Sequence, residues 1–187
     1  METNKDMIIE NEKNISFPSA KLLFSIIQKE HDYEFDRGKD LQTRTGMFLA
    51  FSGAILVFIF NNVKIPNLST TPIINLAQVL PYVFLIVFLS MTLLSLLFAI
   101  FSFIKVISTK IYPRINLDEF SVEKIGNRAI KPEDQTLVVL IPLYKNFVEE
   151  YSKINNIKVV WFKRGIISIL VALIFTTLTY SMLLFTR

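Results

Sequence analysis

Residues 79–107 read Val79-Leu80-Pro81-Tyr82-Val83-Phe84-Leu85-Ile86-Val87-Phe88-Leu89-Ser90-Met91-Thr92-Leu93-Leu94-Ser95-Leu96-Leu97-Phe98-Ala99-Ile100-Phe101-Ser102-Phe103-Ile104-Lys105-Val106-Ile107. No charged residue occurs from Pro66 to Phe103. About 20 apolar helical residues cross a hydrocarbon core of roughly 30 Å, so this run is long enough to span a bilayer. As a helix it would rise about 44 Å, more than the core needs. Tilt would absorb some of that excess. The alternative, favoured by Lys105 and Lys110, is that the turns around Phe101–Ile107 leave the membrane.

Two further stretches have the same character. Gly46 to Val63 and Ile166 to Thr186 contain no charge. Overall composition is a weaker signal, because 52% hydrophobic residues is only slightly above the roughly 45–50% of soluble domains. The distribution decides. It predicts an all-α integral membrane protein with a 1–15 polar tail, a 16–46 amphipathic helix and a first span at 47–63. A short outer loop at 64–77, a second span at 78–107, a helical segment at 108–163, and a third span with the C-terminus at 164–187 complete the division.

Charge orients the spans. Seven bases precede the first span, only Lys64 lies in the first loop, eleven run from Lys105 to Arg164, and Arg187 alone follows the third span. An N-terminus inside and a C-terminus outside therefore puts eighteen of twenty bases, and all sixteen acids, on one side. Lys and Arg collect on the cytoplasmic side of membrane proteins, so this asymmetry predicts a cytoplasmic polar mass. It also accounts for the net charge of +4 without nucleic acid, which is not an expected partner. Nine acids and no early apolar run in the first 45 residues predict that the first span is its own signal anchor rather than part of a cleaved leader.

The predicted cytoplasmic parts are helical. Ser16 or Ser19 with Pro18 is a helix-start signal, and Ala20, Leu23, Phe24, Ile27, His31 and Phe35 follow on one face at steps of three and four. That helix runs into the first span, with Gly38 and Gly46 as its weak points. A short helix is expected over 118–124. Tyr144, Phe147, Tyr151, Ile154, Lys158 and Trp161 form a heptad-like stripe that leads into the third span, offering an oligomer or partner surface. Pro142 is expected to mark its N-terminal turn. Leu137–Ile141 is too short to span, and reads as a strand-like segment, a packed helical turn or an interfacial stretch.

Catalytic chemistry is not indicated. There is no cysteine, no Gly-rich phosphate loop, no HExxH pattern and no paired nucleophile and base. The series Glu30, Asp32, Glu34, Asp36 has a period of two, which on a helix sends neighbours to nearly opposite faces, so a solvated helix is expected rather than a metal site. His31, the single histidine, is expected to be packed. An enzyme, a bound metal and a cofactor are therefore not expected, and the charge-free spans disfavour an ion-coupled transporter. The small and hydroxyl residues Ser52, Gly53, Ser90, Ser95, Ser102, Thr176 and Thr179 suit helix packing or a weakly polar pore.

Residues Glu34-Phe35-Asp36-Arg37-Gly38-Lys39-Asp40-Leu41-Gln42-Thr43-Arg44-Thr45-Gly46-Met47-Phe48-Leu49-Ala50-Phe51-Ser52-Gly53 lead from a charged helix straight into a span. Together with Tyr144, Phe147, Tyr151, Asn155 and Lys158, this stretch resembles small membrane proteins of bacterial anti-phage defence. These are the two- and three-span effectors found beside cyclic-nucleotide synthases, retrons or CRISPR genes, among them the SLATT proteins. The resemblance implies a homo-oligomeric effector in the bacterial inner membrane, triggered by a cytosolic defence protein or a small nucleotide, that forms or gates a pore. The residues leave a second expectation open, a non-catalytic anchor that recruits a cytosolic partner.

Overall fold

The computed structural model describes residues 16–63, 76–108, 112 and 132–185. Every element among them is a helix: α1 is Ala20–Asn62, α2 is Leu76–Ser108 and α3 is Glu133–Phe185. Each helix is long and apolar enough to cross a membrane, and the chain is accordingly a membrane protein. The expected 118–124 helix and most of the expected 64–77 loop lie outside the described residues.

Helix starts follow local chemistry. Proline and serine precede α1, and the Ala20 N–H closes its first turn onto the Phe17 carbonyl at 2.9 Å. Glu133 and Asp134 occupy the first turn of α3, where acids offset the positive helix end. The Asp134 carboxylate also accepts the Phe17 N–H at 2.7 Å, a bond that holds its carboxyl below the usual carboxylate range. This start corrects one detail and narrows another. Pro142 is inside α3, not in its first turn, and of the readings open for Leu137–Ile141 the strand-like one falls away, since the segment is helical. Proline removes one i−4 hydrogen bond from a helix interior, yet the helix continues through it. Gly38 and Gly46 likewise do not interrupt α1.

Packing divides the described chain into two units. One comprises residues 16–38, 112 and 132–155. The other comprises 39–63, 76–108 and 156–185, and holds most of the apolar helix surface. In this second unit the enclosed positions of α1 fall at Leu41, Thr45, Ser52 and Ile59, those of α2 at Leu85, Thr92, Leu96, Ala99, Ser102, Phe103 and Val106, and those of α3 at Lys158, Gly165, Ile169, Ala172 and Thr179. Apart from the adjacent Ser102 and Phe103, the spacings are sums of three- and four-residue steps, a period near 3.5. That period keeps one seam facing its neighbours when helices pack as in a left-handed coiled coil. Burial on this seam desolvates the Lys158 ammonium and lowers its pKa.

Ile59, Leu96 and Ala172 form one core layer, and Ala99, Phe103 and Ile169 form the next. Phe103 is enclosed by rings, with centroids 6.1 Å from Phe48 and 6.0 Å from Phe162. The outward face is the reverse of a soluble protein's. Phe51, Val57, Phe60, Leu94, Leu97, Ile167 and Ile174 are all exposed, a patch that water would not tolerate and lipid would.

Gly165 is what allows Phe103 to sit there. A Cβ at position 165 would lie 2.5 Å from Phe103 Cε1 and 2.7 Å from its Cζ. Gly165→Ala gains about 1 kcal/mol of helix propensity, but overpacking a filled core costs about 1–3 kcal/mol. Phe103 is fully buried with the Phe48 and Phe162 rings beside it, so the second term is expected to win. Thermal unfolding in detergent should show Gly165→Ala less stable than wild type, with stability recovered when Phe103→Leu is added. An Ala variant at least as stable as wild type would show that the ring moves easily.

Candidate functional site

The first unit is built around polar groups rather than an apolar core. Ala20, Phe24, Ile27, His31, Glu34 and Gly38 follow one another on α1 at steps of four and three, and all are buried or half-buried. Tyr144, Val148, Tyr151 and Asn155 do the same on α3. The two lines place a carboxylate beside an amide. Glu34 is 5% exposed and Asn155 is fully enclosed.

Asn155 ties α3 to α1 through its amide nitrogen, and both ends of the amide are hydrogen-bonded. Its Nδ2 donates to the Glu34 carbonyl oxygen at 2.7 Å and to Glu34 Oε2 at 2.8 Å. Its Oδ1 accepts the Tyr112 hydroxyl at 2.9 Å. Glu34 Oε1 accepts from Arg37 Nη1 at 3.0 Å, one helical turn on. Desolvation, and then the nearby Glu34 charge, raise the Tyr112 pKa, which keeps the phenol protonated as the donor this bond requires.

Aromatic rings enclose the cluster. The Tyr112 ring stacks on Tyr151, with centroids 4.6 Å apart and planes at 12°. His31 meets Tyr151 at 5.2 Å and Tyr144 at 5.6 Å, edge to face in both cases. Phe24 adds an edge contact to Tyr144 at 5.1 Å. Gly38, one turn beyond Glu34, leaves the space that the Tyr112 hydroxyl and the Asn155 amide occupy.

The Glu34 carboxylate accepts from an amide on α3 and from a guanidinium on its own helix, so the cluster joins α1 to α3 within this unit. Among the described residues no group of three His, Asp or Glu could hold a metal. What the arrangement offers is sensitivity. Buried polar networks are firm when every member is satisfied and costly when one is lost. No known protein family, curated protein or solved structure matches the chain.

The residues singled out in the sequence fall into three groups. Tyr144 and Tyr151 join the cluster, and Phe147 borders it with its ring 6.5 Å from Tyr144. Ile154 is half-buried, one position away from the enclosed Asn155. Trp161 belongs to the other unit, where its ring is 6.1 Å from Phe101. Of the hydroxyl residues, Ser52, Ser102 and Thr179 are buried, Ser95 and Thr176 are half-buried, and Ser90 is exposed. Ser52, Ser90, Ser102, Thr176 and Thr179 each donate to the carbonyl four residues back on their own helix. Gly53 is not a close-approach glycine, since nothing lies within 4 Å of an added Cβ.

Glu34 departs from the expectation for the acidic series. Glu30, Asp32 and Asp36 are exposed, whereas Glu34 is buried. The signal for this was the spacing His31, Glu34, Gly38, which continues the apolar stripe; charge alone argued for solvent.

Proposed function

We propose that the chain is a homo-oligomeric effector of the bacterial inner membrane. In this reading the N-terminus is inside and the C-terminus outside, and the first unit is a cytoplasmic, stalk-like helical module. Membrane-spanning parts form or gate a pore when a cytoplasmic trigger, a defence protein or small nucleotide, releases that module. One observation carries the reading. The helices locked together by Glu34 and Asn155 are the same helices that supply apolar spans, without an intervening break. A change at the lock therefore has a continuous hydrogen-bonded rod through which to act. The charge asymmetry, with eighteen of twenty bases on one side, supports the orientation. Anti-phage defence is supported by the resemblance of residues 34–53 and remains the most specific part of the proposal.

Vesicles filled with a self-quenching dye test it directly. Reconstituted wild type should hold the dye. Asn155→Asp, which sets a second carboxylate against Glu34, should leak at neutral pH and reseal on mild acidification, when one proton is shared by the pair. Unchanged helicity and insertion of the leaking variant at neutral pH separate gating from misfolding, since refolding on acidification would also reseal the vesicles. A variant that keeps its helicity, inserts, and leaves vesicles tight at every pH sinks the pore reading. The second reading, a non-catalytic anchor for a cytosolic partner, then gains. Its support is the exposed line Leu22, Ile26, Tyr33 on α1 in the first unit.

A further inference from the structure

Two cations from different helices meet one aromatic pair in the second unit. Phe101 of α2 and Trp161 of α3 are edge to face, with centroids 6.1 Å apart. Lys105 Nζ lies 5.6 Å from the Phe101 centroid. Arg164 Cζ lies 4.9 Å from the Trp161 ring. Both cations are solvent-exposed, as are Phe101 and Ile104 on the α2 side and Val160 on the α3 side. The sequence places the group at a boundary: Lys105 closes the charge-free run of α2, and Arg164 precedes that of α3.

The electrostatics of this end are one-sided. Lys39, Arg44, Lys105, Lys158, Lys163 and Arg164 all belong to this unit. Residues 39–109 and 156–187 contain a single acid, Asp40, and Arg44 holds it at 2.8 Å. The unit thus carries a positive surplus that its own carboxylates do not balance. Tryptophan settles at the headgroup level of a bilayer, and basic pockets between spans on the cytoplasmic side bind anionic headgroups. Stacking on a ring leaves the edge of the Arg164 guanidinium, with its fork of N–H donors, available to a phosphate.

We infer that Lys105 and Arg164, set on the Phe101–Trp161 pair, form a binding site for the phosphodiester headgroup of an anionic phospholipid. The acyl chains lie along the exposed apolar face of α2 and α3, and the phosphate meets the two cations. This site depends on membrane placement of the second unit, and not on whether the spans conduct.

Trp161 is the one tryptophan of the chain, so intrinsic fluorescence reports on this site and no other. The full chain is reconstituted into phosphatidylcholine vesicles in which either brominated phosphatidylcholine or brominated phosphatidylglycerol is titrated as a quencher. Brominated phosphatidylglycerol should quench Trp161 at a lower mole fraction, with a preference on the order of tenfold. Arg164→Gln and Lys105→Gln should each lower that preference about threefold, and the double variant should remove it all. Lys145→Gln, in the other unit, should leave it unchanged. Because the preference is a ratio within one protein, a general loosening of the fold cancels. Equal quenching by the two lipids in wild type overturns the site, as does a preference that survives the double variant. Competition by dissolved inorganic phosphate overturns it in favour of a soluble-anion site. Failure of both lipids to quench removes Trp161 from the membrane boundary, and with it this inference.

Discussion

Asn155→Asp is expected to cost about 3–5 kcal/mol of folding stability at neutral pH. The amide nitrogen points at two acceptors, the Glu34 carbonyl at 2.7 Å and Glu34 Oε2 at 2.8 Å. Replacing it with oxygen removes two hydrogen bonds, leaves a buried acceptor pair facing a third acceptor, and adds a like charge where water is scarce. Arg37 reaches Glu34 and offsets only part of that repulsion. The pair can relieve it by binding one proton, so its folded-state pKa rises above the roughly 3.9–4.3 of free carboxyls. The sign follows. An acid whose folded pKa is raised destabilises the fold above that pKa, and the penalty shrinks as pH falls through it. Thermal melts followed by circular dichroism should therefore show the variant regaining stability between about pH 7 and about pH 5, a rise that wild type does not share. A variant whose deficit stays constant across that range would mean that residue 155 and Glu34 do not interact.

The reason this pair was hard to read is instructive about where sequence signals fail. The apolar spans were legible because lipid imposes one crude demand, length without charge, and Pro66–Phe103 meets it with most room to spare. Helix continuity was also legible: no strong breaker separates Ala20 from Asn62, and α1 has those bounds. The helical seam was half legible. Tyr144, Tyr151 and Lys158 were on the predicted stripe, but at Ile154 it missed by one residue. The enclosed position there is Asn155, with Ile154 half-buried, because a buried polar residue holds the register that an apolar count skips. Glu34 was hidden for the same reason. A carboxylate reads as solvated until its partner is known, and that partner is 121 residues away. Tyr112 carries no local signal, and Gly38 extends the stripe of α1 without telling what fills the space beside it.

That space gives the second large effect, at Gly38. A Cβ there would overlap the Tyr112 hydroxyl and would lie 2.9 Å from Asn155 Oδ1. Gly38→Val should cost about 2–4 kcal/mol, combining overpacking with loss of a buried hydrogen bond. Glycine in a helix interior is otherwise a liability of about 1 kcal/mol relative to alanine, so the space must be worth more than the propensity it forgoes. A double-mutant cycle isolates that worth. Gly38→Ala alone should destabilise, because the phenol must leave both the Asn155 amide and its stack on Tyr151. In a Tyr112→Phe background the hydroxyl is gone, the overlap is largely relieved, and the same Gly38→Ala change should be neutral or stabilising. The coupling between the two substitutions should exceed about 1 kcal/mol, measured by chemical or thermal unfolding. Additive effects would show that Tyr112 does not use the space at Gly38. A change of sign would instead establish that the absent side chain at position 38 is what lets a tyrosine from outside both helices reach the Glu34–Asn155 lock. That would make Tyr112 the most economical route for a trigger, since displacing one ring would remove a hydrogen bond from Asn155 without requiring either helix to unfold.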